Sequence, residues 1–239
     1  MKNELIEYQH EDVTLEAFLS FEEGISQKLP VIFIFHSWEG RNEFACEKAK
    51  FLATKGYVGC ALDLYGKGVL GKSVEENGKL MGPFIEDRLF LQSRMLAGVN
   101  AIKNHPKVDS NQMGAIGFCF GGLCALDLAR GGADVKGVVS FHGLLEAPKE
   151  ITSKTIRAKV LALHGHEDPM VSTQEVLAFE REMTLAKVDW QVHIYGHTMH
   201  AFTNPAANNP NMGTVYNSVA EKRAFLAMEN FFKEIFHQE

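Results

Sequence analysis

The segment Gly117-Phe118-Cys119-Phe120-Gly121-Gly122, GFCFGG, decides how this chain is read. It lies where the strand pattern QMGAIGF (112–118) gives way to the helix pattern FGGLCALDLARG (120–131). Glycines two residues before and two after Cys119 suit a sharp strand-to-helix turn. Side chains there would collide, and the central residue takes a positive φ. Such a turn lifts the Cys119 sulfur above a sheet, and the helix N-terminus behind it favours thiolate over thiol. Taken alone, the motif fits a second reading equally well. Free cysteine is among the most buried residue types, and Cys124 is expected to be only that. The segment lacks both the lysine of a phosphate loop and the G-x-G-x-x-G spacing of a dinucleotide fingerprint.

Working outward, strands alternate with helices. LPVIFIFH (29–36), VGCALDLY (58–65), QMGAIGF (112–118), VKGVVSFHG (135–143), AKVLALHG (158–165) and WQVHIYG (190–196) read as six buried strands. LEAFLSF (15–21) alternates like a half-exposed edge strand and pairs as a hairpin with ELIEYQ before it. Helical periodicity covers 42–56, 84–105, 120–131, 173–188 and 216–236, the second as one long helix ended by Pro106. This order predicts a mostly parallel sheet with right-handed crossovers. Ligands in such sheets bind beyond the carboxyl ends of the strands.

Two further residues lie at those ends. Asp168 follows strand 158–165 in HEDP, and His200 follows strand 190–196 in GHTMHAF. The order Cys, Asp, His is that of a nucleophile, an orienting acid and a general base. His36, His142, His164, His166 and His197 also fall near strand ends, and His197 is the rival of His200. The loop after strand 29–36, HSWEG, is placed to supply an oxyanion donor. The expected donors are the backbone N–H groups of Phe120 and Trp38. The Trp38 side chain either lines an acyl pocket or packs. Ser37, His36, Phe202 and Asn204 are candidates for lining the site.

Composition narrows the classes. The 239 residues are 46% hydrophobic and contain no linker or repeat, so one domain over 1–239 is expected. The net charge of −6, with no basic cluster, argues against a nucleic-acid partner. No apolar run approaches the roughly 20 residues of a membrane span. MKNELIEYQHEDV has no apolar core of signal-peptide length. A soluble cytoplasmic protein without a membrane partner is therefore expected. Cys46, Cys60, Cys119 and Cys124 contain no C-x-x-C and neighbour no histidine, which argues for reduced thiols and against a metal site.

The stretches VIFIFHSWEGRN (31–42), ALDLYG (61–66), GFCFGG (117–122), LHGHED (163–168) and HAFTNP (200–205) resemble the dienelactone hydrolase family of α/β-hydrolases. The resemblance implies an α/β-hydrolase fold, three-layered, with a mostly parallel central sheet flanked by helices. It favours His200 over His197 and implies a Cys119–His200–Asp168 triad cleaving ester or lactone bonds through an acyl-thioester. It further implies a small-molecule ester or lactone substrate, no metal or organic cofactor, and a monomer or small homo-oligomer. Two places depart from the family pattern. Ser37 stands where relatives place a glutamate beside the thiol. Thr203 and Asn204 stand where one carboxylate-binding arginine is expected, and 72–84 holds no arginine for the other. Dienelactone itself is therefore not the expected substrate. Arg88 and Arg41 are the arginines that could contribute a positive charge in their place.

Other readings stay open on sequence. They are a catalytically silent small-molecule binding domain, an acyl transferase on the same scaffold, and a redox-sensing thiol. Segments 66–83 and 197–215, rich in Gly, Asn and Pro, read either as lids or as ordinary surface loops.

Overall fold

A computed structural model describes residues 1–149 and 155–236. The chain divides into two compact units, Met1–Ile116 and Gly117–Glu239. The fold is α/β, built on an eight-stranded, mostly parallel sheet.

The first unit opens with β1 (Lys2–His10) and β2 (Val13–Phe21), an antiparallel hairpin in which Lys2 faces Phe21 and His10 faces Val13. β3 (Leu29–Phe35) follows, buried along its whole length as its unbroken apolar run requires. α1 (Glu43–Ala53) starts at Asn42, whose side-chain oxygen accepts from the Ala45 N–H, and packs on β2, β3 and β4 (Val58–Leu62). β2 runs antiparallel to β4, and β3 parallel to β4, giving the order β1-β2-β4-β3 followed by β5 (Val108–Phe118).

Two expectations for this unit need correction. β2 is not the edge strand; β1 is, and β2 is covered by β1 on one side and β4 on the other. Its Glu16 is buried against Arg41, at 2.5 Å, so a charged residue that looked solvent-facing is paired instead. Nor is 66–83 irregular or 84–105 one helix. α2 (Val74–Glu86) runs through Pro83, and α3 (Arg88–Ile102) begins afresh after Asp87. The missed signal was Ser73-x-x-Glu76: Ser73 Oγ accepts from the Glu76 N–H, and Glu76 Oε2 accepts from the Lys72 N–H. Asp87 closes α2 and caps α3, with Oδ1 accepting from the Phe90 N–H at 2.8 Å. The remaining loop is tied down by Lys67 N–H to Thr14 O and Gly71 N–H to Glu39 O.

The second unit takes over at the end of β5. α4 (Phe120–Arg130) leads to β6 (Gly137–Phe141), β7 (Lys159–Gly165), α5 (Thr173–Leu185) and β8 (Trp190–Tyr195). β6, β7 and β8 pair in parallel, in the order β5-β6-β7-β8. β8 is the sheet edge and only half-buried, contrary to the reading of WQVHIYG as a covered strand. A short antiparallel pair, β9 (Asn208–Asn209) and β10 (Thr214–Val215), precedes α6 (Ser218–Ile235), which packs on β6 and β7. Among the described residues no helix is long and apolar enough to cross a membrane.

If Asp87 separates two helices by capping the second, Asp87→Ala removes one N-cap. The expected loss is about 1 kcal/mol of stability, read from the urea unfolding midpoint. A variant with an unchanged midpoint would show that the break rests on Pro83 alone.

Candidate active site

Cys119 occupies the turn between β5 and α4 with φ 58° and ψ −119°, outside ordinary helix and strand geometry. Glycine is required at Gly117, where an added Cβ would stand 1.8 Å from Gly121 O. The Cys119 N–H is shared between Phe141 O at 3.0 Å and His142 Nδ1 at 3.2 Å, so the end of β6 braces the turn. Cys119 is half-buried, whereas Cys46, Cys60 and Cys124 are buried. Burial pushes the thiols of Cys46 and Cys60 up, away from the reactive thiolate. Phe120 opens α4, at the positive end of the helix dipole.

Asp168 and His200 meet. His200 Nδ1 lies 2.7 Å from Asp168 Oδ2, and both side chains are essentially inaccessible to solvent. Asp168 Oδ1 accepts from the Met170 N–H at 2.8 Å, which fixes the carboxylate plane. Burial opposes charge on the His200 ring, but the charge on Cys119 and the hydrogen bond to Asp168 prevail, and its pKa is pushed up to about 10. Among the described residues His200 Nε2 makes no well-formed hydrogen bond, and Cys119 and Asp168 are the neighbours that raise the ring's pKa. His197, the rival, is a surface residue paired with Glu167 at 3.0 Å, its side chain 98% exposed.

Segment 197–215 clamps the histidine. The His200 N–H donates to Gly213 O at 2.8 Å, and His200 O accepts from the Val215 N–H at 3.0 Å. Gly213, at φ 69°, lies against Pro169: a Cβ there would be 2.1 Å from Pro169 Cγ. The strap that carries His200 thus rests on the residue next to Asp168.

The remaining candidates take other places. Phe202 is fully buried against Tyr195 and His142 and belongs to the core of its unit. Asn204 shapes its own loop, accepting from the Ala206 N–H. In the first unit, His36 is buried. Its Nε2 accepts from the Leu64 N–H at 3.2 Å, and Nδ1 lies 2.6 Å from Ser37 O. Burial pushes its pKa down, so it reads as a neutral link between two strand ends. Ser37 and Trp38 are half-exposed, and Trp38 O accepts from the Tyr65 hydroxyl. Arg41 is engaged by Glu16 and Cys46, and Arg88 is buried. Among the described residues no cluster of three or more His, Cys, Asp or Glu side chains is placed to hold a metal ion. The residue that sequence reasoning passed over is His142, noted only as one of several strand-end histidines.

A model described as the dienelactone hydrolase family matches residues 15–236. An uncharacterized protein of Caenorhabditis elegans is 40% identical over 149 residues, 61% of this chain and 94% of that protein. Among solved structures, a chain named m3DLH superposes with a TM-score of 0.93 at 36% identity, covering 98% of each chain. A dienelactone hydrolase-like promiscuous phosphotriesterase from metagenomic libraries has a TM-score of 0.93 at 32% identity, again covering 98% of each.

Asp168 both accepts the His200 hydrogen bond and supplies negative charge, so Asp168→Asn is expected to lower the pKa of His200 from about 10. Imidazole proton resonances followed against pH would read it. An unmoved midpoint would mean that Asp168 does not set the ring's proton affinity.

Proposed function

Because the chain belongs to the dienelactone hydrolase family, whose chemistry is carboxylic ester and lactone hydrolysis, we propose that Cys119 is its nucleophile, His200 its base and Asp168 the residue that orients the base. The observation that carries this reading is the buried 2.7 Å pair of His200 and Asp168, in the same unit as the strained turn that holds the half-buried Cys119.

In this mechanism His200 holds the proton that Cys119 gives up, so the attacking species is the thiolate. A ring whose pKa is pushed up to about 10 can keep that proton, although Ser37 stands where a glutamate is expected. The thiolate adds to the substrate carbonyl carbon while the carbonyl π pair moves onto oxygen. That oxygen is received by the Phe120 N–H at the start of α4; one such donor contributes about 3 kcal/mol in comparable enzymes. As the C–O bond breaks, His200 passes its proton to the departing alkoxide, leaving an acyl-thioester. Neutral His200 then takes a proton from water, the hydroxide adds to the thioester, and the thiolate leaves. Asp168 keeps Nδ1 protonated throughout, so Nε2 does the transfer. A thiolate is expelled more readily than an amide nitrogen, which favours activated esters and lactones over amides.

The substrates proposed are small esters and lactones without a strict carboxylate requirement, because the expected arginine pair is missing. The similarity to a promiscuous phosphotriesterase adds phosphotriesters as a second class, to be assayed alongside.

Cys119→Ala is expected to lower kcat/KM for p-nitrophenyl acetate by at least about 10³-fold with an unchanged melting temperature. Retained activity would overturn the assignment. Iodoacetamide at neutral pH should label Cys119 before Cys46, Cys60 or Cys124, as read by peptide mass spectrometry. The alkaline limb of the wild-type pH profile should fall near 10, where His200 loses the proton it must deliver to the alkoxide. A limb near 7 would place another group in that role.

A further inference from the structure

One buried histidine has no part in this mechanism yet touches both of its moving parts. His142 follows β6 with φ 39°, in the left-handed region that a branched or bulky side chain seldom adopts. Its Nδ1 accepts from the Cys119 N–H at 3.2 Å, and its Nε2 lies 2.8 Å from Thr203 Oγ1. Because an amide N–H points at Nδ1, that nitrogen carries the lone pair. The ring proton therefore sits on Nε2 and is donated to Thr203. The ring stands 5.0 Å from the His200 ring with the planes at 66°, and 5.2 Å from Phe202 at 76°. Thr203 and Phe202 belong to the same loop as His200. One side chain thus joins the turn that presents the nucleophile to the loop that presents the base.

We propose that His142 is a positioning residue that fixes the separation and orientation of Cys119 and His200. The proposal rests on the reading of those two as nucleophile and base. Its chemistry is that of a directional spacer. Nδ1 fixes the backbone of the strained cysteine, Nε2–H fixes the loop beyond His200, and the ring face limits how far the catalytic imidazole can tilt. Cys119, His142 and Ala201 all have positive φ, at 58°, 39° and 57°. Clustering of such conformations at one place is the pattern of a site kept in shape by its surroundings.

Three variants separate the parts. His142→Asn keeps an acceptor near the position of Nδ1 and tolerates positive φ. His142→Gln sends its amide toward Thr203 and leaves the Cys119 N–H without that acceptor. His142→Ala loses both. Misplacement of about 1 Å costs on the order of 10²-fold, so His142→Ala and His142→Gln are expected to lose about that factor in kcat with little change in KM. His142→Asn should recover most of the loss. Melting temperatures identify variants that fold, and the Asn–Gln pair decides the matter if the Ala variant does not. Full kcat in His142→Ala, or Asn no better than Gln at equal melting temperature, would overturn the proposal. A second arm needs no substrate: the rate of Cys119 alkylation by iodoacetamide should fall in Gln and return in Asn. If wild-type protein cleaves none of the esters, the hydrolase reading fails. The alkylation arm still tests His142, and equal rates in wild type and His142→Gln would overturn it.

Discussion

Cys119 is held at φ 58°, a backbone state that costs on the order of 1–3 kcal/mol and persists only where surrounding contacts over-determine it. Those contacts are identifiable. Gly117 and Gly121 approach so closely that neither side of the turn can relax toward the other. The Cys119 N–H is shared by two acceptors at the end of β6. α4 continues from the turn with its first residues fully buried, so the helix cannot rotate to relieve the strain. The geometry that makes a half-buried sulfur available is therefore a consequence of strand, helix and neighbouring strand together.

Electrostatics act on top of that geometry. A histidine removed from water would ordinarily lose its proton, because burial penalises the imidazolium. Here Asp168 at 2.7 Å and the charge on Cys119 reverse the outcome. His36, equally buried, shows the contrasting case: its partners are backbone groups, and its pKa is pushed down. Two buried histidines thus differ because burial outweighs the Ser37 carbonyl and the Asp63 charge at His36, whereas Cys119 and Asp168 outweigh burial at His200. The strap through Gly213 and Pro169 adds mechanical coupling, tying the chain around the base to the turn that holds the acid.

The strand runs 29–36, 58–65 and 158–165 could be read from their mostly apolar content, which a strand covered on both faces sustains. WQVHIY instead alternates apolar residues with Gln191 and His193, and β8 lies half-buried at the sheet edge. Apolar content reports what a strand can tolerate, and its neighbours report where it sits. Glu16 on β2 is likewise placed by a distant group, since its partner Arg41 lies 25 residues away in sequence. The break between α2 and α3 was legible in principle from Ser73, Glu76 and Asp87, whose short polar side chains cap helices. The helical periodicity on either side of Asp87 concealed it.

By itself the sequence determined the turn at Cys119, through the steric demand of its flanking glycines, and the order in which an acid and a histidine follow it. Both are properties of residues near one another in the chain. The tertiary structure decided which histidine pairs with Asp168, because His197 and His200 are three residues apart and only one is turned inward by the strap. It also buried His36 and Phe202, and it brought His142 against residues 23 and 61 positions away in sequence. Hydrogen-bond direction and burial are set by groups that meet only when the strands are assembled, and no local pattern encodes them.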